Sequence, residues 1–171
     1  MNADQARFLA DHFAGVFEQE GATTTKVLKA VPESGRNYRP DDKSRTAWEL
    51  ATHLAASEMW FLDSICDGAF TYDAETETRV TSGFKTVNDV VEFYKREFPK
   101  RIQRLRDTPG EKLAQDVDFF GMKKPPAEIL SFANNHSVHH RGQLAAYLRA
   151  AGSKVPSIYG GSADEPYTPA S

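Results

Sequence analysis

Three of the chain's five histidines fall within NNHSVHHRGQL, Asn134–Leu144. Imidazole is a good ligand for borderline divalent metals, and two imidazoles spaced i, i+4 on a helix face the same way, so both can bind one ion. With Ile129 as the origin of a wheel turning about 100° per residue, His136 falls at about −20° and His140 at about +20°. Ile129, Phe132, Ala133, Leu144 and Tyr147 define the stripe expected to be buried, which places both histidines at its middle. His139 lies on the flank, and Arg141 and Asn134 point to the back. A buried ring must pair both nitrogens or lose about 1–3 kcal/mol for each one left alone. A lone core histidine solves this with hydrogen bonds, whereas a facing pair in mid-stripe favours an ion. The pair is not a zincin motif, because Ser137 stands where that motif carries its glutamate base.

An open catalytic ion normally takes three protein ligands plus water, so a third must come from elsewhere. The remaining histidines are His12, His53 and His139. His139 points away from its neighbour His140 and is poorly placed. His12 lies in the apolar stripe of the first helix and suits a ligand or a core residue equally well. His53 sits in TAWELATHLAASEMWFLDSI, a segment apolar almost all round, and the wheel leaves its direction open. Glu58, on that segment's most continuous stripe, is able to accept a hydrogen bond from an imidazole or to pair across an interface. Gln143, one turn from the pair, is the candidate for touching substrate, or else it satisfies its own helix. Arg141 is expected to form a structural ion pair. Cys66 is the only cysteine, and its place on a helix speaks for a structural thiol.

Four helical segments must position these groups, and the expected fold is an all-α four-helix bundle. The first runs over Ala3–Ala30, with Asn2 and Gln5 as a capping box and Phe8, Leu9, Phe13, Val16, Val27 and Val31 as its stripe. Gly21 and Thr23–Thr25 weaken its middle. The second runs over Ala47–Cys66 from the Thr46/Glu49 box. Being apolar on every side, it predicts a further packing partner such as a second subunit. The third runs over Val87–Asp107 from Thr86 and Asp89, with a kink or break expected near Phe98 because Pro99 removes a helical donor. The fourth runs over Pro125–Ala151 and stops at Gly152. The connections Pro32–Arg45, Asp67–Lys85 and Thr108–Lys124 are long enough for crossovers, and Asp116–Phe120 alternates as one short strand would. Residues 1–152 thus read as one bundle domain, and residues 153–171 as an extended C-terminal arm packed by Ile158 and Tyr159 or frayed.

The composition agrees with one globular unit. Apolar residues make up 40% and charged residues 26% of 171, and the net charge of −3 gives no excess for binding nucleic acid. The basic run Lys95–Arg106 is interrupted by Glu97 and reads as a solvated helix face. The start MNADQARFLADHF lacks the pattern of a signal peptide, and no apolar run reaches membrane-spanning length, so a reduced, cytoplasmic setting is expected.

Trp48–Glu58 has the form W-E-L-A-x-H-L-A-x-x-E, and His136–Leu144 the form H-x-x-x-H-R-G-Q-L. Together with the closing AGSKVPSIYGGSADE they resemble the DinB-like (damage-inducible, YfiT-related) metalloenzymes, over essentially the whole chain. The resemblance implies a four-helix bundle with crossover connections, often a homodimer, and a zinc or nickel ion on three histidines matching His53, His136 and His140. It also implies thiol-dependent transfer or isomerisation with a low-molecular-weight thiol, or hydrolysis, since an open imidazole-bound ion makes either a thiolate or a hydroxide available near neutral pH. The third possibility is a non-catalytic dimeric stress or ligand-binding protein with a closed ion, for which His12 would be the fourth ligand.

Overall fold

The structure, a computed structural model, describes residues 1–70 and 74–167, and of Ala74 and Thr76 the backbone alone. Six helices and a hairpin follow in chain order: α1 Ala3–Ala30, α2 Ala47–Asp67, α3 Ala74–Thr81, α4 Val87–Asp107, α5 Gly110–Leu113, β1 Val117–Phe119, β2 Met122–Lys124 and α6 Pro126–Tyr147. The two expected capping boxes form at Asn2/Gln5 and Thr46/Glu49, and a third forms at Thr86/Asp89, the expected start of α4; each fixes where a long helix begins. Gly68 ends α2 in the left-handed conformation at φ 77°.

The four long helices pack as a ring. α1 lies against α4 and α6, and α2 against the same two, which leaves α1 opposite α2 and α4 opposite α6. The connections from α1 to α2 and from α4 to α6 therefore cross the bundle, and only α2 to α4 joins neighbours. Leu28, Leu54, Leu62, Ile65, Leu105, Ile129, Leu144 and Leu148 fill the shared core. Among the described residues, no helix is long and apolar enough to cross a membrane.

Several local expectations are corrected. α4 runs unbroken through Pro99. The proline sits on the exposed side, while Tyr94, Phe98, Ile102 and Leu105 hold the other side in the core, and this packing outweighs one missing donor. α1 buries Ala6, Ala10, Ala14, Phe17, Gly21, Thr24, Val27 and Leu28, mostly small residues along its first two-thirds; of the expected stripe Val27 and Val31 are buried, while Phe8 is left 71% exposed. Small residues let helices approach closely: a Cβ on Gly21 would come within 2.8 Å of the Phe98 ring. The short strand expected at Asp116–Phe120 is half of an antiparallel hairpin turning at Phe120 and Gly121. The connection Asp67–Lys85 contains a helix, α3. The fourth helix ends at Tyr147 and leads through turns to Gly152. Finally, α2 is enclosed by α3, α4, α5 and α6 of its own chain, so its apolar circumference requires no second subunit.

The basic run on α4 is an ion-paired surface. Arg101 and Arg104 reach Asp63, Arg106 reaches Glu18, and Lys95 and Lys100 pair within the helix. After α6 the described chain runs through turns and bends, with Pro156 buried and Val155 and Ile158 packed against the core.

Candidate metal centre

The rotation of α6 decides what its histidines face. Its buried row is Ile129, Leu130, Ala133, Ser137, Arg141, Leu144, Ala145 and Leu148. At about 100° per residue this row centres about 80–100° from Ile129, on the side of Ser137. His136 and His140 are therefore not in mid-stripe but at its edge, half-buried, where α6 meets α2. The polar character of Ser137 and Arg141 hid the true centre from a pattern built on apolar residues alone.

On the facing edge of α2 stands His53. Its ring centroid lies 5.3 Å from that of His136 and 4.7 Å from that of His140, and the two α6 rings are 4.4 Å apart. One ring nitrogen from each of the three lies within 4.8 Å of the others, so His53, His136 and His140 form a group able to hold a metal ion.

Neighbouring side chains fix the rings. The Nδ1 of His53 lies 3.0 Å from Oε1 of Glu77 on α3. The Nδ1 of His140 lies 2.8 Å from Oε1 of Gln143, one turn along α6. With each Nδ1 donating to its oxygen neighbour, each Nε2 keeps a free lone pair. The Nδ1 of His136 is buried and has no hydrogen-bond partner. Burial, then the neighbouring His140 and His53, push the His136 pKa down to about 3. Burial also lowers His53 and His140, against the raising effect of Glu77 and Gln143 respectively. All three are thus neutral at pH 7, the state that ligates metals. A convergent, neutral, nitrogen-only donor set with one orphaned ring atom suits a divalent ion such as zinc or nickel.

The other sequence candidates lie elsewhere. His12 is exposed on α1, edge-on to Phe13 at 5.6 Å, so a fourth imidazole ligand is not at hand. His139 is exposed beside His140. Glu58 is buried behind the triad, where it accepts from the Tyr94 hydroxyl and from Ser137; burial raises its pKa to about 7. Gln143 is turned to His140. Cys66 is buried, and its thiol pKa is pushed up by that burial, which suits a structural thiol. Arg141, expected at the back of the helix, is 1% exposed and points into the bundle, where it donates to Glu20, Thr24 and Tyr159. The ion pair expected of it exists, with Glu20.

Sequence reasoning missed Glu77. α3 carries acidic residues in its first turn and Arg79 in its last, the charge order that complements a helix dipole, and that was the available signal. It also missed a cavity of about 520 Å³ that opens beside His53 and His136, with Trp60, Phe61, Phe93, Phe120 and Phe132 in its lining.

The model of the DinB family matches residues 1–169. The chain belongs to the DinB family. Among its relatives, the uncharacterised YrdA protein of Bacillus subtilis (strain 168) is 28% identical over 156 residues, 91% of this chain and 90% of that protein. The DinB fold recurs in the crystal structure of a DinB-like protein from Bacillus cereus ATCC 10987, with a TM-score of 0.71 at 22% identity, covering 86% of this chain and 95% of that one. A DinB-like structure from Bacillus subtilis, YjoA, aligns at a TM-score of 0.69 and 23% identity over 86% of this chain and 96% of its own. At these identities the two structures speak for the fold.

Proposed function

We propose that this DinB family chain is a divalent-metal-dependent enzyme that joins a low-molecular-weight thiol to a small electrophile, with His53, His136 and His140 holding zinc or nickel. The observation that carries this reading is the convergence of three neutral imidazoles at the wall of a cavity of ligand size. A bound ion of this kind supplies a lowered pKa to a coordinated thiol or water, and so a nucleophile near neutral pH.

The chain's own residues do the rest. Glu77 and Gln143 hold the His53 and His140 rings by their Nδ1 atoms, so the rings do not have to reorganise when they ligate. The apolar cavity wall orients the electrophile against the triad and limits the water that reaches it. The same ligand set serves hydrolysis, and the presence or absence of a thiol requirement separates the two chemistries.

The test is metal analysis of the protein as purified and after reloading, alongside the His136→Ala and His140→Ala variants. One ion per chain, lost in both variants, together with turnover of an electrophile that requires added thiol, is the expected result. A protein that takes up neither zinc nor nickel at neutral pH refutes the metal site. Ester or amide cleavage without thiol replaces transfer with hydrolysis.

A further inference from the structure

The cavity beside the triad has its own chemistry. Its volume of about 520 Å³ lies within the range of small-molecule sites. Trp60 and Phe61 of α2, Phe132 of α6 and Phe120 of the hairpin give its wall aromatic rings, beside small, apolar and charged residues, with His53 and His136 in the lining. The rings are mutually braced: Trp60 lies 4.9 Å from Phe61 and 6.2 Å from Phe120, and Phe61 lies 5.7 Å from Phe132. Phe61 also meets His136 edge-on at 5.1 Å, so the aromatic wall runs directly into the candidate ligand set.

Two of the three lining carboxylates are ion-paired within the protein. Asp63 accepts from Arg101 and Arg104, Asp67 from Arg104, and Glu77 faces His53. Among the described residues three carboxylates and one guanidinium, Arg101, line the space, and Glu77 faces a neutral imidazole, so without an ion the potential of the cavity disfavours an anion.

Phe120 supplies a separate indication. It is a non-glycine residue at φ 53°, followed by Gly121 at φ 83°, in a tight hairpin turn. Asparagine or glycine adopts that conformation readily, whereas a phenylalanine there is strained, and this one also leaves its ring 59% exposed. Met122 and Phe132 are exposed on the same hairpin and cavity rim, at 53% and 47%. A strained backbone that holds an exposed aromatic ring at the mouth of a cavity marks a surface built for contact.

We infer that this cavity binds the uncharged, aromatic body of the substrate, with Phe120 as the wall that closes over it. The inference rests on the proposed function in taking the bound body to be that of the electrophile. The lining then sets specificity by ring burial and, in the metal-free protein, disfavours anionic ligands of the same shape.

The test reads binding in chelator-treated protein, so that it does not depend on the ion. N-phenyl-1-naphthylamine, which is neutral, and 1-anilinonaphthalene-8-sulfonate share a ring body and differ by one negative charge. Fluorescence titration is expected to give one saturable site for the neutral probe, with at least tenfold weaker binding of the sulfonate. Phe120→Gly relaxes the turn while removing the ring, and circular dichroism reports whether it stays folded. It is expected to weaken the neutral probe at least tenfold, whereas His12→Ala, exposed on α1 and outside both the cavity lining and the histidine triad, leaves it unchanged. Equal affinity for the two probes, absence of a saturable site, or wild-type affinity in folded Phe120→Gly overturns the inference. Because the titrations use chelator-treated protein, the saturable probe site is read independently of metal uptake, which keeps the two claims separate.

Discussion

The Nδ1 of His53 on α2 lies 3.0 Å from Oε1 of Glu77 on α3, so a short helix between two long ones holds a ring of the central cluster. Carboxylates in this position fix the tautomer and raise the basicity of the other nitrogen, and their loss typically costs about 10–100-fold in metal affinity. Glu77→Ala is expected to weaken zinc binding by that factor, measured by competition with a chromophoric chelator. Glu77→Gln, which keeps an oxygen acceptor, should fall in between. Glu77 is partly exposed, with 31% of its side chain accessible, so the melting temperature of the metal-free protein should barely move. Unchanged affinity in Glu77→Ala would show that the contact does not serve the site.

The limits of the sequence show in the same residues. His53, His136 and His140 were separable by type and spacing, yet the wheel alone left His53 open beside His12, and only the resemblance chose between them. The helices were legible because their capping boxes and periodicity are local signals. Rotation about a helix axis is not local. On α6 the buried centre is occupied by Ser137 and Arg141, so an apolar-only pattern displaced the histidines by roughly a quarter turn. α3 lay in a connection read as a loop, and with it went Glu77. The aromatic cavity draws on α2, α6 and the hairpin at once, and no single segment announces it.

Glu58 gives the protein a pH dependence of definite sign. Burial raises its pKa to about 7, against the hydrogen bonds from Tyr94 and Ser137 and the charge of Arg141, while Glu20 adds to the rise. An unfolded chain ionises this group near 4.5. Between pH 4.5 and about 7 the folded state holds a proton that unfolding releases. Stability therefore falls as pH rises through that window and levels off above it, by on the order of 3 kcal/mol at most. Glu58→Gln cannot ionise, and its amide oxygen can still accept from Tyr94. Urea unfolding of metal-free protein at pH 5 and pH 8 should show the variant gaining on the wild type at the higher pH. Parallel pH profiles for the two proteins would mean that Glu58 ionises in the folded state much as it does in the unfolded chain.

Arg141 determines which way α6 presents its histidines. The residue follows His140 directly, and about 100° of rotation separates the two side chains, so a guanidinium fixed in the core holds His140 at the α2 edge. Its fork is fully used: one nitrogen donates to the Glu20 carbonyl at 3.1 Å and the Thr24 hydroxyl at 3.2 Å, and the other to the Glu20 carboxylate and the Tyr159 hydroxyl. The Tyr159 hydroxyl in turn donates to Glu20 at 2.8 Å, tying the C-terminal segment to α1 through the same pair. A lysine carries the charge but not the planar fork, so it cannot serve all of these acceptors from one buried position. Arg141→Lys is expected to lose about 3 kcal/mol of stability, near the low end for a broken buried pair because Glu20 keeps some access to water. Tyr159→Phe should cost about 1 kcal/mol, and the two substitutions together should cost less than their sum because they share acceptors. Zinc affinity should fall several-fold in Arg141→Lys and not in Tyr159→Phe, since only the first releases the rotation of α6. Chemical denaturation of the two single variants and the double variant, with a zinc titration of each, measures both effects. Additive stability losses with undiminished zinc affinity would detach Arg141 from the positioning of the histidines.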